Sequence, residues 1–421
     1  MEILLNYGSG EVSLALPGSA REISHREPQM GVDHDRFKRD LHSYLYSINR
    51  PVKSAGIVVS DKTRLCQFPL FLPLVTEALM AYGVKRDEIT FYIAYGTHAR
   101  QSEKESLESY GEIYREFRFV HHNSRDESQL VLVGTTSRGT DIRVNRAILE
   151  HDLLVTFGAI LHHYFAGYGG GRKLLFPGLG GYESVLQNHS LFLDFEKQRL
   201  QPGCQSGVLD DNPLALDLEE VGEMLPGRLE IHAILNSQKE VCEISFGSGY
   251  DHFRKACARY DDHFRIGDGG SGDRLFDETV DGSVYDLVVA SAGGYPRDIN
   301  YIQAHKAIHN AASFVKDGGR LVIFAECLDG IGNPDFLELF GPEGSEGIFA
   351  AMERGYRNNA GTALATLEKS ARIDIRFVTS LDEEACSLMG MVKTSGEEAG
   401  KIIQGEKGGV AWIANASLLY R

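Results

Sequence analysis

SAGIVVSDKTRLCQFPLFLPLVTEALMAYGVKRDEITFYIAYGTHAR (residues 54–100) decides the fold. It opens with a short apolar run, SAGIVV, that ends in the polar DKTR. Such a run ending in charge is the mark of a buried parallel strand delivering its carboxyl end to a loop. FPLFLPLVTEALMAYG (68–83) follows as a helix closed by Gly83. EITFYIAYGTHAR (88–100) is then a second strand ending in a polar loop. Strand, helix, strand in this order predicts a parallel sheet whose functional residues sit in the loops at the strand ends.

The same rhythm extends in both directions. Residues 1–17 alternate and read as an opening strand or hairpin, and Asp35–Tyr46 as a helix. FRFVHHNS (117–124) and QLVLVGTTSRGTDIRVN (129–145) read as strands, the latter a pair turning at Arg138-Gly139. HDLLVTFGAILHHYF (151–165) is again a strand with polar residues at its end. PLALDLEEVGEML (213–225) is a helix, LEIHAILN and EVCEISFGS (229–248) a hairpin, and YDHFRKACARY (250–260) a helix. RIGDGGSGDR (265–274) has the glycine-rich, non-periodic composition of a linker. Beyond it the β/α pattern restarts with YDLVVASAGG (285–294), NYIQAHKAIHNAASFV (300–315) and GGRLVIFAEC (318–327), with later strands at 371–380 and 409–416. The expected fold is α/β: two doubly wound, Rossmann-like domains, residues 1–270 and 275–421, with a cleft between them.

Composition narrows the function. The chain has 421 residues and a formal charge of −16, which opposes binding to a nucleic-acid backbone. A small anion remains compatible, because local positive charge overrides the global sign. No apolar run reaches the ~18 residues of a membrane span, and the first residues lack a signal-peptide pattern. The six cysteines show no CxxC or zinc spacing, so a reduced, cytoplasmic protein is expected. Any metal would be held by histidine or by a cofactor that brings its own ligands.

LHHYFAGYGGGRKLLFPGLGGYESVLQNHS (161–190) concentrates reactive groups. The glycine run ending in Lys173 invites comparison with a phosphate loop. A Walker A loop requires Ser or Thr after the lysine, whereas Leu174 stands there, and no strand–GxGxxG–helix order fits. The alternative is a flexible turn with a solvated lysine. Asp61 and Arg64 sit at a strand end, where Arg64 can grip a carboxylate or phosphate with Asp61 orienting it or binding a ribose hydroxyl; the bland alternative is a surface salt bridge. His98 comes from a second strand end and the His162-His163 pair from a third, and parallel strand ends converge on one crevice. Consecutive residues in extended chain face opposite ways, so at most one of that pair enters a site. Gln303 and Lys306 lie i, i+3 on one helix face. The histidines at 121, 122, 305 and 309 read as structural.

These motifs together resemble nickel-pincer-dependent lactate racemases and their 2-hydroxy-acid racemase and epimerase relatives. The likeness rests on DxTR (Asp61–Arg64), GTH (Gly96–His98), H-x3-G-x2-GGRK (His163–Lys173), Pro177-Gly178, Asn188-His189 and QAxK (Gln303–Lys306), in order along most of the chain. The resemblance implies a covalently bound cofactor, the pyridinium-3-thioamide-5-thiocarboxylic acid mononucleotide carrying Ni(II). It implies that Lys173 is joined to the cofactor, with Asp61, Lys62, Thr63, Arg64, Gly170 and Gly171 around it. His189 becomes the protein ligand to nickel, and His98 and His163 the two acid/base residues. Arg64, Gln303 and Lys306 become the substrate contacts. The implied reaction inverts C2 of lactate or a related 2-hydroxy acid by reversible hydride transfer through a 2-keto acid. The implied partners are that small acid and the enzymes that build the cofactor. No nucleic acid or membrane partner is expected, and the oligomeric state is left open.

The chain departs from these relatives in several places. Its single tryptophan, Trp412, lies near the end, so an active-site tryptophan is missing or replaced, with Tyr356 as candidate. Ile302 stands before Gln303 where some relatives have tyrosine, and the loop reads YGGGRK. Malate or a sugar acid such as gluconate therefore stand beside lactate as substrates. A nickel carrier without catalysis is the alternative from another class; it has no need of Arg64, Gln303 and Lys306.

Overall fold

The computed structural model describes all residues except Met30, 267–283 and 356–358. The chain forms two compact units. The first holds Glu27–Phe192 and Pro202–His263; the second holds Met1–Arg26, Leu193–Gln201 and Phe264–Arg421.

The sheet of the first unit runs, across its width, Val241–Gly247, Arg228–Leu235, Leu153–Ala159, Ala55–Ser60, Ile89–Ala94 and Arg118–His121. All neighbours are parallel except the edge strand Val241–Gly247. Every residue of Ala55–Ser60 and Leu153–Ala159 is buried, as continuous apolar runs in a sheet covered on both faces require. The helix Phe68–Tyr82 buries Phe68, Phe71, Leu72, Val75 and Leu79 and ends at Gly83. There φ is 115° and the Gly83 N–H returns to carbonyls of the last turn.

Strand order locates the crevice. From Ala55–Ser60 the chain builds outward to Ile89–Ala94 and Arg118–His121, then returns to the other side with Leu153–Ala159 and Arg228–Leu235. The winding direction reverses between Ala55–Ser60 and Leu153–Ala159, so the loops leaving these two strands diverge at a topological switch point. Ligands bind there in open α/β sheets. The loops are Asp61–Arg64 and the segment leading to Lys173.

The second unit carries a wholly parallel sheet, in the order Val392–Lys393, Asp374–Val378, Val315–Phe324, Tyr285–Ser291, Val410–Ile413 and Arg21–Glu22. Helix Tyr301–Ala312, bearing Gln303 and Lys306, follows Tyr285–Ser291, its first strand after residue 283. The expected division after residue 270 would put the N-terminal hairpin, Glu2–Tyr7 with Gly10–Ala15, in the first domain. Instead its inward side chains Ile3, Leu5 and Leu14 pack on Leu287, Val289, Val322 and Phe324 of the second sheet. The hairpin cannot bury its alternating apolar residues alone, and this sheet face supplies the cover. Of the expected linker, Arg265 and Ile266 are described, and Ile266 bonds to Tyr420; 267–274 lie outside the described residues. Among the described residues no helix is long and apolar enough to cross a membrane.

Candidate active site

Asp61 starts the switch-point loop. Its Oδ1 accepts from the backbone N–H of Thr63 at 3.0 Å and from Thr63 Oγ1 at 2.5 Å, capping the short 3₁₀ turn Lys62–Arg64. Its Oδ2 lies 2.7 Å from His98 Nδ1. The pairing follows from register: Ser60 is opposite Ala94 in adjacent parallel strands, so the two loops leave the sheet side by side. Burial alone would raise the Asp61 carboxyl. The His98 hydrogen bond and charge, then Arg64 and Thr63, outweigh it and hold the group below its ordinary value.

This arrangement differs from the expected orientation of Arg64 by Asp61. Arg64 is exposed, and its Nη1 donates to Thr63 Oγ1 at 3.2 Å. The Lys62 ammonium is committed to Glu105, and its backbone N–H to Gln101 at 3.0 Å.

The strand Leu153–Ala159 ends earlier than the sequence suggested. The chain then turns into a separate small hairpin, Leu161–His163 against Gly167–Gly169. His162 faces Tyr168 across it. His162 Nε2 lies 2.9 Å from Asp261 Oδ1, and Tyr168 donates its hydroxyl to Asp261 Oδ2 at 2.6 Å. Asp261 thus grips both members of one cross-strand pair. His163 takes the opposite direction, its ring 4.4 Å from that of Phe165 and nearly perpendicular to it. The question of which histidine of the pair is engaged elsewhere has a physical answer: His162 belongs to the Asp261 contact.

Phe165 gathers the remaining groups. Its ring centroid is 5.4 Å from that of His189 and 5.7 Å from Lys173 Nζ. Lys173 has no carboxylate partner among the described residues. Burial and the positive charges of Arg64 and Arg172 hold its amine well below the ordinary lysine value. Arg172 is itself buried, with its guanidinium 4.2 Å from the Phe253 ring centroid. His189, in the last turn of helix Tyr182–Ser190, is pushed down to about 3 by burial, then by Lys173 and His98. These mutual influences link Asp61, Arg64, His98, Lys173 and His189 in one site.

The glycines before Lys173 serve the protein's own packing. Gly170 has φ of 78°, and a Cβ there would collide with the Ala159 carbonyl oxygen. A Cβ on Gly171 would lie 2.6 Å from the Phe253 ring. Both therefore let the loop press on the strand end and on helix Gly249–Phe264. The Pro177-Gly178 motif ties two loops together: Gly178 accepts from Gly96 N–H at 2.8 Å and donates to Lys173 O at 3.0 Å. The lysine loop and the His98 loop are thus fixed to each other.

In the second unit, Lys306 donates to Gln303 Oε1 at 2.8 Å, so the shared helix face is as expected. Tyr356 lies outside the described residues. His121 and His122 bond within the first unit, to Tyr95 and to the Gly180 carbonyl, in keeping with structural roles. Sequence reasoning did not single out Phe165, Asp261 or the Asp61–His98 pair. Register between the two strand ends would have suggested the last of these; the first two carry no local signal beyond being aromatic or acidic.

Known proteins share this architecture and these segments. The lactate racemase N-terminal domain family matches residues 37–201, and the lactate racemase C-terminal domain family matches 280–360. A lactate racemase of Thermoanaerobacterium thermosaccharolyticum is 30% identical over 349 residues, spanning 80% of this chain and 77% of the relative. The lactate racemase of Lactiplantibacillus plantarum is 28% identical over 282 residues, 66% of this chain and 62% of that protein. The structure of the lactate racemase apoprotein from T. thermosaccharolyticum superposes with a TM-score of 0.86 at 25% identity, covering 100% of both chains. A Thermotoga maritima protein shares the fold at a TM-score of 0.66 and 17% identity, over 94% of this chain and 99% of its own. With its ordered motifs, its fold and its relatives in agreement, the chain belongs to the lactate racemase family and is an isomerase of the racemase type.

Proposed function

We propose that this protein interconverts the two configurations at C2 of a 2-hydroxy acid, lactate or a close relative of it, using a nickel-pincer nucleotide bound at the switch point of the first unit. The observation that carries the reading is the grouping of Lys173 and His189 at Phe165, 5.7 and 5.4 Å from its ring centroid, with the carboxylate-backed imidazole of His98; burial pushes the Lys173 amine well below its ordinary value and His189 to about 3, which favours their uncharged forms. A neutral amine is a nucleophile and a neutral imidazole is a metal ligand; their protonated forms are neither. Among the described residues no three His, Cys, Asp or Glu side chains gather into a metal site. His189 would therefore act as a single protein donor beside ligands that the cofactor brings.

Lys173 would hold the nucleotide through its amine and His189 through a ring nitrogen. When bound, the cofactor supplies reversible hydride acceptance, which no amino-acid side chain offers. The remaining work falls to the protein. The C2 hydrogen of a 2-hydroxycarboxylate is too weakly acidic for a histidine base, so the protein's task is the hydroxyl proton. His98, donating Nδ1–H to Asp61, presents Nε2 to accept that proton. His163 would serve the opposite configuration. Arg64, with most of its guanidinium open, would take the substrate carboxylate, and Gln303 and Lys306 the carboxylate and hydroxyl. Maturation would require the enzymes that build the cofactor.

The test is production with and without those enzymes, followed by intact mass and by assay against D-lactate, D-malate and gluconate, detecting the L form or the 2-epimer. The reading expects an adduct on Lys173 and turnover that depends on it. A Lys173→Ala variant as active as the parent, with no adduct on either, refutes it.

A further inference from the structure

Asp217, on helix Pro213–Met224, is fully buried, and no cation pairs with it among the described residues. An anion in that position is costly unless its oxygens are saturated with donors. Three neutral donors meet it: Thr136 Oγ1 at 2.5 Å, Thr140 Oγ1 at 2.9 Å and Asn188 Nδ2 at 2.8 Å. The two threonines flank the tip of the hairpin formed by Leu130–Thr135 and Asp141–Asn145. Asn188 belongs to a third element, helix Tyr182–Ser190, and is the residue before His189.

Two further observations bear on His189. Metal-bound histidines usually have the second ring nitrogen held by a carboxylate or carbonyl. Among the described residues no hydrogen bond reaches the His189 ring, which instead meets Phe165 edge-on at 78°. Asn188 is completely buried, and its Oδ1 has no partner among the described residues. The contact with Asp217 is thus what accounts for a buried amide at this position.

We propose that Asp217 is a positioning residue for His189, acting through Asn188 to fix the helical turn from which the imidazole projects. The orienting contact is made one residue upstream, to the side chain of the neighbour. This gives the asparagine of the Asn188-His189 motif a function that the proton and cofactor chemistry leaves unassigned. The inference rests on the reading of His189 as the nickel ligand.

The test uses the cofactor-loaded protein and reads nickel loss to excess EDTA by elemental analysis, with the Lys173 adduct followed separately by intact mass. Asn188→Ala and Asp217→Asn should release nickel about 10–100-fold faster, the usual effect of removing an outer-shell partner, while keeping the adduct. Parent-like release in both single variants overturns the inference, even if their cofactor-free forms melt lower, because Asp217 would then only brace the fold. If Asp217→Asn does not fold, Asn188→Ala, which leaves both threonines on Asp217, decides alone. His189→Ala is the separating control: parent-like nickel release there defeats the ligand reading itself, whatever Asp217 does.

Discussion

Replacing Asp61 by Asn tests the proton-handling half of the mechanism. In the parent, Oδ1 is occupied by Thr63 and Oδ2 faces His98 Nδ1 at 2.7 Å. An amide has one acceptor oxygen. If that oxygen stays on the Thr63 N–H, the NH₂ group turns toward His98 and demands an unprotonated Nδ1. The proton then moves to Nε2, the position needed as base. The charge is lost as well. A hydrogen bond to an ionised partner is worth about 1.5–3 kcal/mol. His98 keeps 47% of its side-chain surface exposed, against 4% for Asp61, so solvent screening favours the lower part of that range. About 1.5–2 kcal/mol corresponds to a fall of about 10–30-fold in kcat/KM. The wrong tautomer adds to this, so about 10-fold is a floor. Because enantiomers are equal in free energy, the fall must be the same from either one. The assay is racemisation of each enantiomer by protein carrying a full Lys173 adduct, with melting measured in parallel. An Asp61→Asn variant that is fully loaded, folded and within about twofold of the parent would refute the role of the Asp61–His98 pair.

Other consequences follow from the same geometry. Asp61 has a carboxyl held below its unfolded value of ~3.9, so its contribution to stability is present above about pH 4 and is lost as pH falls through the folded value. Denaturant melts from pH 6 to pH 3 should therefore show a smaller acid loss in Asp61→Asn than in the parent. Lys173, with its amine pushed well below the ordinary lysine value by burial and by Arg64 and Arg172, should be acylated ahead of surface lysines at neutral pH in the cofactor-free protein, as read by peptide mass mapping; surface lysines reacting first would contradict this. Gly170→Ala should cost about 1–3 kcal/mol for a backbone at φ 78°, ψ −168° that is essentially reserved for glycine, and more for the contact with the Ala159 carbonyl, seen as lower stability and poor cofactor loading. Arg64→Lys should raise KM more than it lowers kcat, since one ammonium cannot match a bidentate guanidinium.

The parallel sheets were legible because their strands are apolar on both faces and end abruptly in charge, as at Ser60-Asp61 and Ala94 through His98. The helix Phe68–Tyr82 was legible from its length and from Gly83. Helices Gly344–Glu353, Ala360–Arg372 and Gly396–Gly405 went unread because small residues dilute their apolar faces, although the last carries a Ser395/Glu398 capping box and buries Ala399 and Ile403 on one face. The placement of the N-terminal hairpin on the second sheet was hidden because alternation states that a face will be buried, not against what. At the site, residue types and order singled out His98, Lys173 and His189 as candidates. The partners they meet, Asp61 for His98 and Phe165 beside Lys173 and His189, come from register and from a loop folding back on its strand. Neither is written in local sequence. The glycines of the loop suggested close approach to a cofactor or a flexible turn; in the structure Gly170 and Gly171 press on the Ala159 carbonyl and the Phe253 ring.

The central claim is that C2 is inverted by hydride removal and return, with histidines handling only the hydroxyl proton. The direct measurement is racemisation of D-lactate carrying deuterium at C2 by the loaded protein in ordinary water, with isotope content of the L product read by mass spectrometry. The account predicts that the deuterium stays on C2 in the product, because the hydride does not exchange with solvent, and that the labelled substrate turns over more slowly. Product in which the C2 deuterium has been replaced by solvent hydrogen would contradict it, since that is the outcome of removal as a proton by a histidine base.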